Sequence, residues 1–228
     1  MEQAKEQLKI TALYRYPEHS IAYPLLRRFV YPWEALASIS DFIMEIGASL
    51  SSEEYDYNGE NVWIAKSAKV APSAYIGGPC IICANAEIRH CAFIRGSAIV
   101  GAGATVGNST ELKNCILFDG VEVPHYNYVG DSILGYKSHM GAGSITSNVK
   151  SDKKLVVIHV DDEKVETGRK KVGAMLGDFV EVGCNSVLNP GTVIGEHSNI
   201  YPLSSVRGFV PANSIYKSIG HIVKKRED

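Results

Sequence analysis

The sequence lacks several features that mark well-known protein classes. Its 228 residues contain no apolar run long enough to span a bilayer, and the opening MEQAKEQLK is not a secretory signal. The formal net charge is only −2, which argues against a nucleic acid as partner. These absences favour a cytoplasmic protein with no membrane and no nucleic-acid partner. The length suits one domain with an arm.

Cysteine is scarce. Five cysteines, an odd number, fit a reducing compartment better than a disulfide framework. Cys80 and Cys83 form a lone C-x-x-C without a second pair or a nearby histidine cluster. Because Cys80 also occupies a small-residue position of the repeat described next, a structural thiol is favoured over a metal ligand. We expect no metal site.

The chain does carry a strict repeat of six. An aliphatic or aromatic residue falls at every sixth position from Ile64 to Phe118, and the series resumes from Leu176 to Val206. A small residue follows four positions after each early member, as Ala68 follows Ile64. Neither an amphipathic helix nor an alternating strand has this period. The repeat predicts an all-β fold, a parallel β-helix of hexapeptide coils.

The repeat also predicts the domain organisation. An apolar stripe at helical spacing begins at Pro32 and predicts a helix that caps the open first coil, or alternatively docks a partner. The predicted parts are an arm over 1–61, with its helix at about 32–50 and then a polar linker, a β-helix over 62–210 with an excursion loop at about 149–174, and a basic tail over 211–228. The apolar run from Leu155 to Val160 and the charged turn at Asp161–Lys164 predict that the excursion loop carries a hairpin.

Two basic residues are predicted to stack. Arg95 and Lys113 lie 18 residues apart, the length of one coil, and each directly follows an inward aliphatic residue. Neighbouring coils are about 4.8 Å apart, so the two cations repel unless an anion lies across them. A phosphate or carboxylate ligand is one interpretation. A solvated pair offset by Glu111 is the other.

The repeat breaks where polar and aromatic residues are densest. H-Y-N-Y-V-G-D occupies 125–131 and G-A-G-S-I-T-S-N occupies 141–148. G-A-G also occurs at 101–103, so it is better interpreted as solenoid turn chemistry than as a nucleotide-binding loop. Breaks in a repeat tend to mark functional sites, so we expect the site between about 110 and 185.

These motifs resemble the acetyltransferase half of the bifunctional enzyme that makes UDP-N-acetylglucosamine, and its archaeal-type sugar-1-phosphate relatives. The resemblance covers about 31–220 and includes V-G-N-S-T-E-L-K at 106–113 and T-G-R-K-K-V-G-A-M-L-G-D at 167–178. It implies a left-handed β-helix, a homotrimer with sites between subunits, acetyl-CoA as co-substrate and glucosamine 1-phosphate as acceptor. The nucleotidyltransferase half is expected to be missing before residue 31, so a separate chain would supply it.

The resemblance also implies residue roles. His125 would be the general base, and Asn148 would lie where acetyl donor and acceptor meet. The implied sugar-phosphate contacts are Arg95, Lys113, Tyr128, His139 and Lys154. The implied contacts to acetyl-CoA are Ala142, whose backbone N–H would stabilise the oxyanion, Cys184, Arg169 and Lys170.

Three residues depart from the family pattern. Val149 stands where an aromatic residue is common in the bacterial bifunctional enzymes. His139 replaces an asparagine that contacts the sugar, which leaves the acceptor's identity open. Cys184 replaces a serine near the CoA arm, and a small corner residue is favoured there over a nucleophile. Arg169 and Lys170 can equally belong to a solvated loop.

Two other functions stay open. One is a non-catalytic sugar-phosphate or sugar-nucleotide binding module, or a regulatory one, that partners a separate nucleotidyltransferase. The other is a trimeric metal hydratase of the carbonic anhydrase kind. The lack of an H-x4-H histidine pair argues against the hydratase.

Overall fold

The hexapeptide repeat folds into a stack of coils, each built from three short strands. In the computed structural model, which describes residues 5–226, each strand pairs in parallel with its equivalent one coil further on. Lys69 lies opposite Glu87, and Cys80 lies opposite Ala98. Stacked parallel strands with few helices form a β-solenoid, which is the predicted fold class.

The coils present three faces. The arm-covered face contains Val62–Ala65, Cys80–Ile82, Ala98–Val100, Ala174–Leu176, Thr192–Ile194 and Phe209–Val210. The cluster face, which carries the candidate site, contains Tyr75–Ile76, Phe93–Ile94, Ile145–Thr146, Val187–Leu188 and Ser205–Val206. Two long strands, Glu111–Leu117 and Tyr128–Leu134, run through both of these faces. The third face contains Lys69–Val70, Glu87–Ile88, Thr105–Asn108, Glu122–His125, His139–Met140, Glu181–Val182, Asn199–Ile200 and Ser214–Ser218.

The inward residues of the repeat form the core of the solenoid. Ile82, Ile94, Val106 and Leu112 have no exposed surface, and burial of each such side chain contributes roughly 1.5–3 kcal/mol. Val70, in the first coil, is 39% exposed. The open end of the solenoid is therefore not fully covered.

The arm lies on a face of the solenoid. Its helical segments are Ile10–Leu13, Pro17–His19, Tyr23–Leu26, Pro32–Ala37 and Ile39–Gly47. The single helix expected at about 32–50 is thus a 3-10 turn followed, after Ser38, by an α-helix. This α-helix contacts the strands of three successive coils. It does not cap the first coil, which is where the sequence analysis placed it.

An outward apolar row explains the position of the arm. Ile81, Ile99, Ile116 and Ile133 are in register on successive coils, each one residue before an inward aliphatic. All four have no exposed surface. Because outward aliphatic residues on neighbouring strands would otherwise form an apolar stripe in water, the arm packs on this face.

Residues 13–19 attach the arm near the middle of the solenoid. The ring of Tyr14 stacks on Phe118 with centroids 5.0 Å apart. The buried carboxylate of Asp178 accepts hydrogen bonds from the backbone N–H groups of Arg15 (2.7 Å) and Tyr136 (2.8 Å). Burial raises the pKa of this carboxyl.

Two segments expected to lack strands contain them. The linker holds Tyr55–Tyr57, antiparallel to the first strand of the solenoid. The tail holds Ser214–Ser218 and His221–Lys224, which pair as a hairpin. The excursion loop holds the antiparallel strands Val157–Val160 and Glu163–Glu166, so the hairpin predicted there is confirmed. None of the helices within residues 5–226 is long and apolar enough to cross a membrane.

Candidate active site

Arg95 and Lys113 lie on adjoining coils of the cluster face, the arrangement that their spacing predicts. The strands that carry them pair through Ile94 and Leu112, and the backbone N–H of Arg95 donates to the carbonyl of Leu112 (2.9 Å). Each cation already has a carboxylate partner within the chain. Arg95 Nη1 is 2.9 Å from Glu111 Oε1, and Lys113 Nζ is 3.0 Å from Asp131 Oδ1.

These two ion pairs differ in exposure. The side chains of Arg95 and Glu111 are 47% and 32% exposed, so water screens their attraction. The side chain of Asp131 is only 3% exposed, and that of Lys113 is 26% exposed. An incoming anion can therefore displace Glu111 from Arg95 far more readily than it can displace Asp131 from Lys113.

Asp131 is the centre of a hydrogen-bonded cluster. Besides Lys113, its carboxylate accepts from Nδ2 of Asn114 (2.9 Å) and from Nδ2 of Asn148. The same Asn148 Nδ2 donates to the hydroxyl oxygen of Tyr128 (3.2 Å). The structure thus brings together three residues singled out from the sequence, namely Lys113, Tyr128 and Asn148, and it places Arg95 on the adjoining coil of the same face.

Tyr128 is held as a neutral phenol. Burial, with a further contribution from the Asp131 charge, raises its pKa above the ordinary value. Since the Tyr128 oxygen accepts from Asn148, its own O–H is free to donate to a ligand.

His125 lies outside this cluster. It ends the strand Glu122–His125 on the third face, and its ring is exposed and makes no hydrogen bond within residues 5–226. The Asp131 carboxylate bonds Lys113 and the two asparagines of its own chain rather than the His125 ring of that chain.

His125 is nevertheless fixed beside the turn Gly141–Gly143. Its carbonyl accepts from the N–H of Gly143 (3.0 Å). Its N–H donates to the side chain of Asn127 (3.0 Å), whose Nδ2 donates in turn to the carbonyl of Gly141 (2.9 Å). Asn127 is 2% exposed and was missed by the sequence reasoning. The sequence signal that could have identified Asn127 is its position one coil after Thr110, in the series of small residues that follow the inward aliphatic residues of the repeat.

The turn at Ala142 differs from its counterpart at Ala102. The N–H of Ala102 donates to the carboxylate of Asp119 (2.7 Å). The N–H of Ala142 has no hydrogen-bond acceptor within the described chain, although its carbonyl accepts from Asn185 (2.8 Å). Cys184, next to Asn185, is an exposed free thiol on the adjoining coil. The structure therefore places Ala142 and Cys184 together.

His139 lies apart from the Asp131 cluster, on the third face. Its Nδ1 is 2.9 Å from Oε2 of Glu181, and its register neighbour on the other side is Glu122. Glu181 was missed by the sequence reasoning, because the two residues lie 42 positions apart with the excursion loop between them.

The remaining candidates lie in the excursion loop. The Nε of Arg169 is buried without a hydrogen-bond partner in the described part of the chain, whereas Lys154 and Lys170 are exposed. The loop returns to the cluster, since the N–H of Val172 donates to the carbonyl of Asn148 (3.1 Å). Within residues 5–226, no three His, Cys, Asp or Glu side chains are grouped to hold a metal ion.

Stacked coils, an excursion loop and a polar cluster at the interrupted coils define a β-solenoid protein with its candidate site at the break in the repeat. Residues 76–201 match the family described as the GMPPB C-terminal domain, and the chain belongs to that family.

Relatives of known name agree with the family assignment. The chain is 34% identical over 173 residues to the "Bifunctional protein GlmU" of Methanococcus maripaludis, covering 75% of this chain and 42% of the relative. It is 35% identical over 112 residues to the "Bifunctional sugar-1-phosphate nucleotidylyltransferase/acetyltransferase" of Sulfurisphaera tokodaii, covering 49% of this chain and 28% of the relative. The family resemblance found from the motifs is thus confirmed. The chain spans less than half the length of these relatives.

Solved structures with some likeness include two acyltransferases. The acetyltransferase domain of PglB from Neisseria gonorrhoeae, in complex with acetyl coenzyme A, is 19% identical with a TM-score of 0.31, covering 59% of this chain and 54% of that one. AntD, an N-acyltransferase from Bacillus cereus in complex with dTDP and coenzyme A, is 22% identical with a TM-score of 0.34, covering 74% and 83%.

Proposed function

We propose that this protein transfers an acetyl group from acetyl-CoA to the amine of an amino-sugar 1-phosphate such as glucosamine 1-phosphate. The observation that carries the proposal is the hydrogen-bonded cluster of Lys113, Tyr128, Asn148 and Asp131 at the interrupted coils, with Arg95 on the adjoining coil of the same face. Two relatives are named as bifunctional GlmU and sugar-1-phosphate nucleotidylyltransferase/acetyltransferase proteins, which supports the choice of donor and acceptor.

The acceptor phosphate would bind at Arg95. Its guanidinium is the more exposed of the two cations, and its partner Glu111 is the more exposed of the two acids. A phosphate offers the bidentate contact that a guanidinium prefers. Lys113, already bonded to Asp131, would add charge nearby, and Lys154 would approach from the loop. The Tyr128 hydroxyl would donate to the sugar.

The donor would lie along the turn at Ala142. The N–H of Ala142, which has no acceptor within the described chain, would stabilise the oxyanion as the amine attacks the thioester carbonyl, an interaction typically worth about 3 kcal/mol. The amine nitrogen bonds to the acetyl carbon, the C–S bond breaks, and His125 passes the amine proton to the CoA thiolate. An imidazole suits both proton transfers because its pKa lies close to neutral pH. Cys184, Arg169 and Lys170 would contact the CoA arm and its phosphates.

A site built between subunits fits the separation of His125 and Asn148. Asp131 lies six residues beyond His125, at the opposite edge of the cluster face. Asn148 is in register with Asp131 on the next coil. At about 3.3 Å per residue these edges lie roughly 15–20 Å apart, too far for both side chains to reach one amine. We therefore propose a homotrimer in which one subunit presents the Asp131 cluster to His125 of its neighbour.

The test is a free-thiol assay of CoA release. Purified protein receives acetyl-CoA with glucosamine 1-phosphate, galactosamine 1-phosphate or unphosphorylated glucosamine. We expect release that depends on the 1-phosphate and falls by a factor of about 10²–10⁴ in His125→Ala. Full activity in His125→Ala would contradict the assigned base, and release that ignores the phosphate would contradict the assigned anion site.

One observation favours a second candidate, a non-catalytic sugar-phosphate binding module. Within one chain, His125 makes no contact with the Asp131 cluster. Calorimetry separates the candidates, because a binding module takes up the sugar phosphate but not acetyl-CoA.

A further inference from the structure

Asp131 is a buried carboxylate that takes no part in the proposed transfer steps. It lies at a coil corner with φ of +49°, a left-handed conformation that aspartate tolerates better than most residues. Its side chain is 3% exposed, and its carboxylate is bonded from both sides of its own coil. Lys113 and Asn114 approach from the preceding coil, and Asn148 approaches from the following one.

The carboxylate determines which way the Asn148 amide points. An ionised carboxylate only accepts hydrogen bonds, so Asn148 must turn its Nδ2 hydrogens toward Asp131. The same NH₂ group also donates to the Tyr128 oxygen, which uses its second hydrogen. The carbonyl oxygen Oδ1 of Asn148 is thereby left to face out of the cluster as an acceptor.

Backbone contacts leave this amide rotation as the main freedom of Asn148. Its carbonyl accepts from Val172, and the Asp131 carbonyl accepts from Gly173 (2.8 Å), so the C-terminal end of the excursion loop holds both backbones. Without the Asp131 charge, the Asn148 amide can adopt either of its two flipped orientations. In one of them its NH₂ group faces the substrate amine, so that two hydrogen-bond donors face each other.

We propose that Asp131 is the positioning residue of the reaction: it fixes Asn148 Oδ1 as the acceptor for one N–H of the substrate amine. This inference rests on the proposed function. The hydrogen bond directs the nitrogen lone pair at the thioester carbon, while the proton lost on attack goes to His125. Asp131 forms no bond to substrate. Through Lys113 it also ties the phosphate end of the site to the reacting end.

The test is a double-mutant cycle on kcat, measured at saturating sugar phosphate. Asp131→Asn keeps the shape and the left-handed conformation but gives the position a donor that faces Asn148. We expect kcat to fall by about 10- to 100-fold, with KM for acetyl-CoA unchanged within threefold. In the Asn148→Ala background, the same change should lower kcat by less than about threefold, because the residue through which Asp131 acts is gone.

Displacement of Lys113 would show separately, as a raised KM for the sugar phosphate. Asp178→Asn is the matched control, since Asp178 is a buried carboxylate whose hydrogen-bond partners within residues 5–226 are backbone N–H groups on the arm side. It should leave kcat unchanged whatever it does to stability. Equal kcat losses from Asp131→Asn with and without Asn148 would overturn the proposal, because a merely structural residue acts independently of the amide.

A second variant covers the case in which Asp131→Asn does not fold. Asn148→Asp places two carboxylates in contact, so we expect a kcat well below that of Asn148→Ala. Equal kcat values for these two variants would contradict the proposal. If the unmodified protein transfers no acetyl group to any amino-sugar phosphate, the proposed function fails instead, and the two failures are distinguished.

Discussion

At the scale of single residues, burial separates reactive side chains from structural ones. Cys80, Cys83 and Cys115 are buried, whereas Cys91 and Cys184 are exposed. Burial raises the pKa of the Cys83 and Cys115 thiols to about 12. The C-x-x-C that the sequence offered as a possible metal ligand pair therefore lies in the packed wall of the solenoid.

We expect two of the five thiols to react with an aromatic disulfide reagent in the native protein at pH 8. A thiol with pKa of about 12 is ionised about once in ten thousand at that pH, and the thiolate is the nucleophile. All five should react after denaturation. Rapid native reaction of a third thiol would contradict the burial of Cys80, Cys83 and Cys115.

The exposed pair Arg95–Glu111 predicts an effect of Glu111 on affinity. In Glu111→Gln, Arg95 loses its competing carboxylate, so KM for the sugar phosphate should fall by roughly two- to fivefold, in line with the small energies of exposed ion pairs. Steady-state kinetics at low salt measures the change. Glu45→Gln, which breaks the exposed pair Arg28–Glu45, is the control and should leave KM unaltered.

At the scale of elements, adjoining coils approach closely beside His125. Gly107 lies on the strand Thr105–Asn108, and a Cβ at this position would overlap the backbone of Pro124 on the next coil. Gly103 has φ of +64° but faces open space. The two glycines are therefore required for different reasons.

Alanine substitution should separate these reasons. Gly107→Ala forces the coils apart and should lower the free energy of unfolding by about 3 kcal/mol or more. Gly103→Ala should lower the free energy of unfolding by only about 1 kcal/mol, because its one cost is the left-handed conformation of a residue with a Cβ. Urea unfolding midpoints measure both. Equal midpoints would show that the coils can separate without cost.

At the scale of the whole molecule, the arm and the solenoid share one core. Tyr14 is 1% exposed, stacks on Phe118 and donates to the carbonyl of Ile133 (3.3 Å). The outward row that includes Ile133 has no exposed surface, because the arm covers it. The arm is thus part of the folded unit.

We expect Tyr14→Ala to lower the free energy of unfolding by about 3–5 kcal/mol, the range for loss of a buried aromatic. Trp33 in the arm and Trp63 in the first coil should report one common unfolding transition. Tyr201→Ala, at a position 45% exposed, is the control and should change stability by less than about 0.5 kcal/mol. Separate transitions for arm and solenoid would contradict the shared core.

The proposed trimer makes a further prediction. His125→Ala and Asn148→Ala should each be inactive alone, yet activity should return when the two are co-expressed. If each site takes His125 from one subunit and Asn148 from its neighbour, random mixing leaves about a quarter of the sites intact. No recovery in mixed trimers would indicate that both residues act from the same subunit.

The sequence by itself determined the solenoid and the stacking of its coils. A six-residue repeat is a local property, so it places inward residues such as Leu112 and register partners such as Arg95 and Lys113 without knowledge of the rest of the chain. The family could also be predicted, because its motifs are recognised by their order and spacing along the sequence.

The tertiary structure alone decided the contacts that bridge coils of unequal length. Partners in the early coils are 18 residues apart, whereas Asn114 and Asp131 are 17 apart and His139 and Glu181 are 42 apart. The repeat does not determine the number of residues in each interrupted coil. The partner of a corner side chain therefore could not be found by counting residues along the sequence. The Asp131 cluster and the position of the arm depend on that packing, because hydrogen bonds and apolar cover are chosen by what lies alongside in space.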